Sequence, residues 1–297
     1  MKKLFSALLI IGCCALSVIC QESGNQGVYG RRTQRPNPSS GTIYGTEEKD
    51  LVPVQLVEAY VLFNAAPDEF VAVFGVAQEA PTAVESNQKV NSQIEQFLEA
   101  AGKLGVKRGD TYIDMITQNR IYNFGAAGND NTIRETLSGF ETKKTVSIRY
   151  KDRALLEKLL GAAAQASIFD LIKVDYVVAD LSKIRSRLLE EASTVIKQKE
   201  ESYTRLLGLR FKRNAIIQES YVTYYPAELY QTYTAAETGS VDPNYQSGAR
   251  VIRERKSSTS FLEPLDRSTF DVIINAGGLE PVVQCTLYLK VRYSLTP

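Results

Sequence analysis

The sequence predicts an α+β fold, and three observations indicate it. Two stretches each read as strand, helix and strand in succession, with one apolar stripe on each helix. A longer helical pattern follows them, with one apolar face and charged residues on its other faces, as in a helix that lies on a sheet. Apolar residues make up 44% of the 297 residues, which suffices for one large domain or two small ones. We therefore expect two strand-helix-strand units plus a long helix packed on a mixed or antiparallel sheet.

The first twenty residues are typical of an export signal. Lys2 and Lys3 precede an apolar run, Leu4 to Ile11, that is too short to span a bilayer comfortably. We favour cleavage after Cys20, because small residues stand before that cut and a polar segment follows it. The alternative is a lipobox cut before Cys13, which would make the protein an outer-membrane lipoprotein anchored at that residue. Either cut predicts a periplasmic or envelope location.

A flexible linker is predicted from residue 21 to residue 50. This stretch is rich in Gly, Ser, Pro and Asn and has scarcely any aliphatic residue, so it cannot bury enough surface to offset the entropy of ordering. The remaining chain, residues 51–297, is predicted to form one domain with a Tyr-rich insert at about residues 221–270. Cleavage after Cys20 leaves Cys285 as the one cysteine, which predicts a domain without an intramolecular disulfide.

The first strand-helix-strand unit is predicted between about Val52 and Phe124. Strand-like residues run from Val52 to Phe63 and from Glu69 to Ala77. Pro81 and Thr82 then provide a helix start, and Thr111 to Phe124 alternates like a strand. The helix between them carries an apolar stripe at helical spacing, namely Val90, Ile94, Phe97, Leu98 and Ala101.

The second unit and the long helix follow. Thr145 to Tyr150 is predicted as a strand, Asp152 as the cap of a short helix, and Leu171 to Val178 as the returning strand. Asp180 is then predicted to cap a long helix that ends at Gly208. Its apolar positions keep near-helical spacing, at Leu181, Ile184, Leu188, Ala192, Val195 and Leu206. We expect this stripe to pack on the sheet that contains Val174 and Tyr176.

Several of these stretches match a known family. They are PDEFVAVFGVAQEA with the helix after it, GFETKKTVSIRYKDRALLEKLL, IKVDYVVAD leading into the long helix, and the last strand, PVVQCTLYLKVRYSL. They resemble the SIMPL domain proteins of bacterial envelopes, from about Val54 to Leu295 except for the region from about Tyr221 to Phe270. This chain departs from the family in its less alanine-rich long helix and in its Tyr-rich insert. The resemblance implies an α+β domain in the periplasm or envelope, homo-oligomeric rings, and loose links to stress tolerance and envelope integrity.

Catalytic chemistry has little support in the sequence. The chain has no histidine, which excludes histidine-based triads and the metal sites that need histidine ligands. Ser86 and Lys89 have the Ser-x-x-Lys spacing of penicillin-recognising enzymes, but the companion motifs are missing, and the polar face of a helix explains both residues better. The sequence therefore predicts no catalytic residue, no cofactor site and no metal site. A net charge near zero also gives no case for nucleic acid as a partner.

Three features remain as candidate surfaces or core residues. A cluster of tyrosines suits a subunit interface, with an ordinary half-buried strand or contact with a glycan as alternatives; it consists of Tyr221, Tyr224, Tyr225, Tyr230 and Tyr233. A basic cluster is interpreted as a solvated loop, with contact to lipid headgroups or anionic glycans as the alternative; it consists of Arg250, Arg253, Arg255 and Lys256. Cys285 stands in an apolar strand and is predicted to lie in the core.

These features predict a non-enzymatic exported envelope protein that self-associates, without a transmembrane span in its mature chain. Two alternatives remain open. One is a module that binds an envelope glycan or a lipid headgroup, and the other is a hydrolase that acts through carboxylates or the Ser86 and Lys89 pair.

Overall fold

The structure is a computed structural model that describes residues 54–126, 133–212, 216–234 and 257–296. The chain divides into two compact units. The larger unit comprises Arg35–Tyr230 and Leu262–Pro297, and the smaller one comprises Met1–Gln34 and Gln231–Phe261. The predicted α+β class is confirmed.

Two strand-helix-strand units and then the long helix follow one another along the chain, as the sequence predicts. In chain order the elements are β1 (Val54–Ala65), β2 (Glu69–Ala80), α1 (Ala83–Lys103), β3 (Thr111–Ala126), β4 (Ile133–Tyr150), α2 (Leu155–Gln165), β5 (Asp170–Val177), α3 (Leu181–Leu207), β6 (Arg210–Phe211), β7 (Ile216–Tyr224), α4 (Pro226–Leu229), β8 (Tyr230–Thr234), β9 (Ser258–Leu262), β10 (Val272–Ile274) and β11 (Val283–Thr296). β8 and β9 pair as a two-stranded sheet.

The first core lies between a four-stranded antiparallel sheet and the helices α1 and α2. The sheet has the strand order β3-β4-β2-β5. Alternate residues of β2 and β4 point toward the helices, so Phe74 and Val146 lie opposite each other in the ladder and are both buried. The predicted stripe of α1 is buried against them, and the Phe97 ring meets the Phe74 ring edge to face at 4.9 Å.

The second core lies under α3. Its sheet has the order β10-β1-β11 with β7 and β6 both paired to β11, and it is mixed because β10 runs parallel to β1 while the other pairs are antiparallel. The inward residues of β1 and β11 pair across the ladder, as Val61 does with Leu287, and both are fully buried. Cys285 is buried on the same face, where the sequence places it.

The long helix packs through the predicted stripe but on a different sheet. Ile184, Leu188, Ala192 and Val195 are buried, as expected, against β1 and β11 rather than against the sheet that contains Val174. The expected partner is wrong because α1 and α2 already cover the inner face of that sheet. Tyr176, at the edge of the first sheet, packs against both cores. Leu206, the last predicted position of the stripe, is exposed.

The predicted caps Thr82 and Asp180 and the predicted end at Gly208 are confirmed, whereas the predicted cap Asp152 is wrong. Thr82 caps α1, with its hydroxyl accepting from the Glu85 N–H at 3.2 Å, and Asp180 caps α3, with its carboxylate accepting from the Lys183 N–H at 2.8 Å. Gly208 ends α3 in the left-handed region at φ 69°, which glycine adopts without steric cost. Asp152 is not the cap of α2, because its carboxylate accepts from the Ala154 N–H at 3.0 Å in the turn before the helix; the N-cap is Ala154, which makes no side-chain capping bond.

A buried amide network holds the segment before β11 across the outer face of the second sheet. Gln284 Nε2 donates to Asn64 Oδ1 at 2.8 Å, and Asn64 Nδ2 donates to the Asn275 carbonyl at 2.8 Å. Gln284 Oε1 accepts from the Leu265 N–H at 2.8 Å. Because each amide finds partners, both side chains are buried at little cost.

Candidate functional site

The two longest neighbouring strands extend beyond the first sheet. β4 pairs with β2 only as far as Phe140, which lies opposite Ala80, whereas it pairs with β3 as far as Ile133. Residues 121–126 and 133–139 therefore form a two-stranded ribbon, which we call the arm. The sequence pattern predicts a strand only from Thr145 and misses the first half of β4, because residues 133–144 are too polar to stand out as a strand.

One face of the arm is apolar. Tyr122 lies opposite Leu137, and Phe124 lies opposite Glu135 with Ile133 two residues further along β4. Residues opposite each other in an antiparallel ladder, and residues two apart on one strand, share a face of the ribbon. The four apolar side chains are exposed at 43% for Tyr122, 73% for Phe124, 71% for Ile133 and 52% for Leu137. We call them the apolar face of the arm.

The opposite face of the arm is polar. It presents Asn123 opposite Thr136 and Gly125 opposite Arg134. An amphipathic ribbon with an exposed apolar face is typical of a surface that another molecule covers.

Two charged residues lie on the same side of the ribbon as the apolar side chains, one at the base of the arm and one among those side chains. Arg120 precedes Tyr122 on the same side of β3 and lies at the base of the arm, while Glu135 lies between Leu137 and Ile133 nearer the tip. Both are exposed, and neither forms an ion pair within the residues that the structure describes.

The base of the arm depends on a glycine. An ideal Cβ at Gly139 would lie 2.8 Å from the Ala80 carbonyl oxygen, closer than side-chain carbons approach a backbone oxygen. Gly139 is buried, and β4 carries one extra residue near it, since Ile121 lies opposite Gly139 and Tyr122 opposite Leu137. Such a bulge increases the local twist and changes the direction of the ribbon.

The structure does not place the clustered tyrosines on one face. Tyr221 points toward α3, where it packs against the second core and its ring lies 5.6 Å from the Arg185 guanidinium. Burial raises the pKa of Tyr221 to about 12. Tyr224, three positions along β7, points to the other face, and burial also raises its pKa. Tyr225 and Tyr230 flank α4 and are exposed.

Tyr233 belongs to the smaller unit, where it is half-buried in β8. The basic cluster of Arg250, Arg253, Arg255 and Lys256 lies outside the described residues, and so do Cys13 and the whole export signal.

Ser86 and Lys89 point to different neighbours. The Ser86 hydroxyl is buried, 3.0 Å from the Ala83 carbonyl oxygen and 2.8 Å from the Thr142 hydroxyl. Lys89 Nζ donates to the Glu79 carbonyl at 3.1 Å. A nucleophile must reach both its base and a substrate, so this geometry disfavours a Ser-Lys hydrolase.

Two further properties concern metals and membranes. Within the described ranges, no three acidic or cysteine side chains come together as metal ligands. The helices of the described part of the chain are also too short or too polar to cross a membrane.

Part of the arm could have been found from the sequence. Tyr122 and Phe124 alternate with polar Asn123, which predicts a strand with one apolar side. Nothing in the sequence shows that this side lacks a covering helix. That depends on where α1 begins, since Ala80 and Pro81 leave the sheet just where the arm starts.

Comparison with known proteins identifies a family but not an activity. The family model of SIMPL, described as a protein of unknown function (DUF541), matches residues 57–261, more than half of the chain. No curated protein matches the sequence.

One solved structure found by the comparison is titled "The crystal structure of AtUAH in complex with glyoxylate". It shares 13% identity with this chain at a TM-score of 0.15, and the match covers 41% of this chain and 29% of that one. A similarity this low carries no argument about fold or function. The family match agrees with the α+β architecture described above, and the chain belongs to the SIMPL family.

Proposed function

We propose that this protein is an exported, non-enzymatic component of the bacterial envelope that self-associates through the apolar face of its arm. The mature chain would be one SIMPL domain on a flexible N-terminal linker, in the periplasm or on the envelope. A link to stress tolerance or envelope integrity comes from the family resemblance alone. The observation that carries the proposal is the apolar face itself, where four large side chains are exposed next to one another.

The hydrophobic effect favours covering this face. A ribbon of two strands is marginal by itself in water, and packing of one face against another element stabilises it. In the described residues the arm pairs with no further strand, so both of its edges are also open to backbone hydrogen bonds.

Charge complementarity points to a second copy of the chain as the partner. If two arms pack face to face about a two-fold axis near Tyr122 and Leu137, the base of each arm meets the tip of the other. Arg120 of one copy then approaches Glu135 of its partner, and the reverse contact forms by symmetry. The pairing would satisfy two charges that make no ion pair within the described residues of the single chain.

The size of the face sets the expected strength. The four side chains supply on the order of 400 Å² per copy, about half of the roughly 800 Å² per partner in a standard interface. A single contact between arms is therefore weak. We expect association to depend on protein concentration, and to be tighter if further surfaces join a closed assembly.

Sedimentation velocity on the mature protein at tens of micromolar tests the proposal. The wild type should sediment above the monomer, and Phe124→Thr with Leu137→Thr should shift it toward monomer, since these changes keep strand-forming residues but remove apolar surface. Asn123→Thr, on the opposite face of the arm, is the matched control and should leave the distribution unchanged. A monomeric wild type would refute self-association.

Charge reversal tests the geometry of the contact. Arg120→Glu should weaken association, and adding Glu135→Arg should restore it, since the pair is then reversed in both copies. The Tyr224→Ser, Tyr225→Ser and Tyr230→Ser triple variant tests the alternative interface. If that variant dissociates the oligomer while the arm variants do not, the Tyr-rich segment is the interface and the arm is not.

Intact-mass measurement on envelope fractions tests export. The expected mature form begins at Gln21, after loss of residues 1–20. A form that begins at an acylated Cys13 would instead indicate a lipoprotein, and an uncleaved chain would contradict both expectations.

A further inference from the structure

A small open cleft lies beside β5, at the edge of the first sheet and away from the arm. Its volume is about 280 Å³, and Val174, Asp175, Tyr176, Tyr225 and Ala227 line it. This volume is near the lower end of the roughly 300–1,000 Å³ of ligand pockets, which leaves room for one small ring.

The cleft offers an aromatic ring that the backbone holds in place. Tyr225 is 36% exposed and stands in an extended conformation between the end of β7 and Pro226, which begins α4. Because proline fixes its own φ and restricts the residue before it, the Tyr225 backbone is held before any ligand arrives. An exposed tyrosine ring on a restricted backbone suits stacking on the apolar face of a sugar.

Polar groups surround this ring. Burial, and then the neighbouring Tyr230, raise the pKa of Tyr176, so its hydroxyl is protonated at neutral pH. β5 is an edge strand whose Val177 carbonyl accepts from the Asp68 N–H on the β2 side. Alternation along the strand then directs the N–H and C=O of Tyr176 and Val174 away from β2.

The charges around the cleft are paired with one another. The Asp175 carboxylate lies 2.8 Å from Lys173 Nζ, so that acid is already neutralised, yet it still has acceptor positions for hydroxyl groups. The Arg153 guanidinium acts on Tyr176 and lowers its pKa in opposition to burial. Arg153 also pairs with the Glu280 carboxylate, at 3.7 Å, so the nearby charges are balanced within the described residues and favour a neutral ligand.

We propose that this cleft binds one ring of a neutral saccharide, stacked on Tyr225, with its hydroxyls donating to Asp175. Glycans are the polyhydroxylated ligands that combine an apolar ring face with a hydrogen-bonding rim, which is the combination that Tyr225, Tyr176 and Asp175 present. The site shares no residue with the apolar face of the arm. Its test is therefore independent of the oligomeric state.

Ligand-observed NMR with four sugars of one ring shape tests the proposal. Glucose is the neutral probe, glucosamine the cationic one and glucuronate the anionic one. N-acetylglucosamine is a second neutral probe, with the same ring and a larger substituent. For the full mature chain we expect saturable binding of a neutral sugar with a Kd on the order of 1 mM, typical of a ligand this small in an open cleft. Tighter binding of glucosamine or glucuronate than of both neutral sugars would contradict the assignment, as would no saturable binding at tens of millimolar.

Substitutions test whether the sugar binds in this cleft. Tyr225→Ala should weaken binding about ten-fold through loss of the stacked ring. Tyr112→Ala, which removes an exposed tyrosine from the outer face of the sheet, is the matched control and should not change it. Asp175→Asn should weaken neutral-sugar binding a few-fold, because the amide oxygen is a weaker acceptor than the carboxylate. Equal effects of the Tyr225 and Tyr112 changes, with both proteins folded by circular dichroism, would show that the sugar binds elsewhere.

Discussion

At the scale of single residues, Tyr150 is a buried aromatic whose hydroxyl has no hydrogen-bond partner within the described residues. Its ring stacks on Phe70 at 5.3 Å, so the residue is held by packing. Burial first, and Tyr176 second, raise the pKa of Tyr150 from 10.0 to about 12. Tyr150 ionises at a lower pH in the unfolded chain than in the folded one. Its contribution to the free energy of unfolding is therefore complete below pH 10 and is lost as the pH rises toward 12.

Tyr150→Phe keeps the packed ring and removes the hydroxyl, so it should separate the contribution of packing from that of the ionisable group. At pH 7 we expect a change in the free energy of unfolding of about 1 kcal/mol or less, in the stabilising direction, because the variant buries no unpaired hydroxyl. Between about pH 9 and pH 11 the loss of stability should be about 1 kcal/mol smaller than in the wild type. Urea unfolding at both pH values measures this. An unchanged pH dependence would show that the Tyr150 pKa is not raised.

Leu188 tests the buried stripe of α3. It is fully buried against the second core, so Leu188→Ala should cost about 2–5 kcal/mol. The neighbouring Leu189 is 37% exposed, and Leu189→Ala should cost clearly less. Denaturant melts of both variants give the comparison, and similar losses would mean that the helix is rotated relative to the sheet.

At the scale of elements, the helices are more predictable than the strands. The stripe of α1 and the caps Thr82 and Asp180 are local signals, and the structure confirms them. The first half of β4 has few apolar residues, and residues 127–132 separate it in the sequence from its pairing partner β3. A strand of that kind is defined by its partner more than by its own residues.

Gly139 controls the direction of the arm, and Gly139→Ala should show it. The added Cβ would meet the Ala80 carbonyl oxygen, so β2 or β4 must shift, at a cost of about 1–3 kcal/mol. Gly125→Ala is the control, since its Cβ would meet no heavy atom within 4 Å and should change stability by about 0.5 kcal/mol or less. Thermal melts compare the two. Equal and small effects would mean that the arm leaves the sheet by another path.

At the scale of the larger unit, each sheet has its own core. The chain passes between the two sheets twice, from β1 to β2 and from β5 to α3. The Ala179 N–H donates to the Asp68 carboxylate at 2.8 Å, and Tyr176 packs against both cores. The amide network of Asn64, Asn275 and Gln284 joins side chains that are 211 and 220 positions apart in the sequence. Such contacts have no local sequence signal, because either partner alone reads as an ordinary polar residue.

The fold class, the two strand-helix-strand units with the long helix after them, the buried stripes of α1 and α3, the caps Thr82 and Asp180 and the family can be established from the amino-acid sequence. They follow from periodicity, capping residues and matched stretches, which act over a few neighbouring positions. The packing of the elements in three dimensions determines which sheet α3 covers, which tyrosines face the core and where an apolar face stays open. Those outcomes depend on which surfaces other elements already occupy: α1 and α2 fill the inner face of the first sheet, and α1 begins too late in the chain to cover Tyr122 and Phe124.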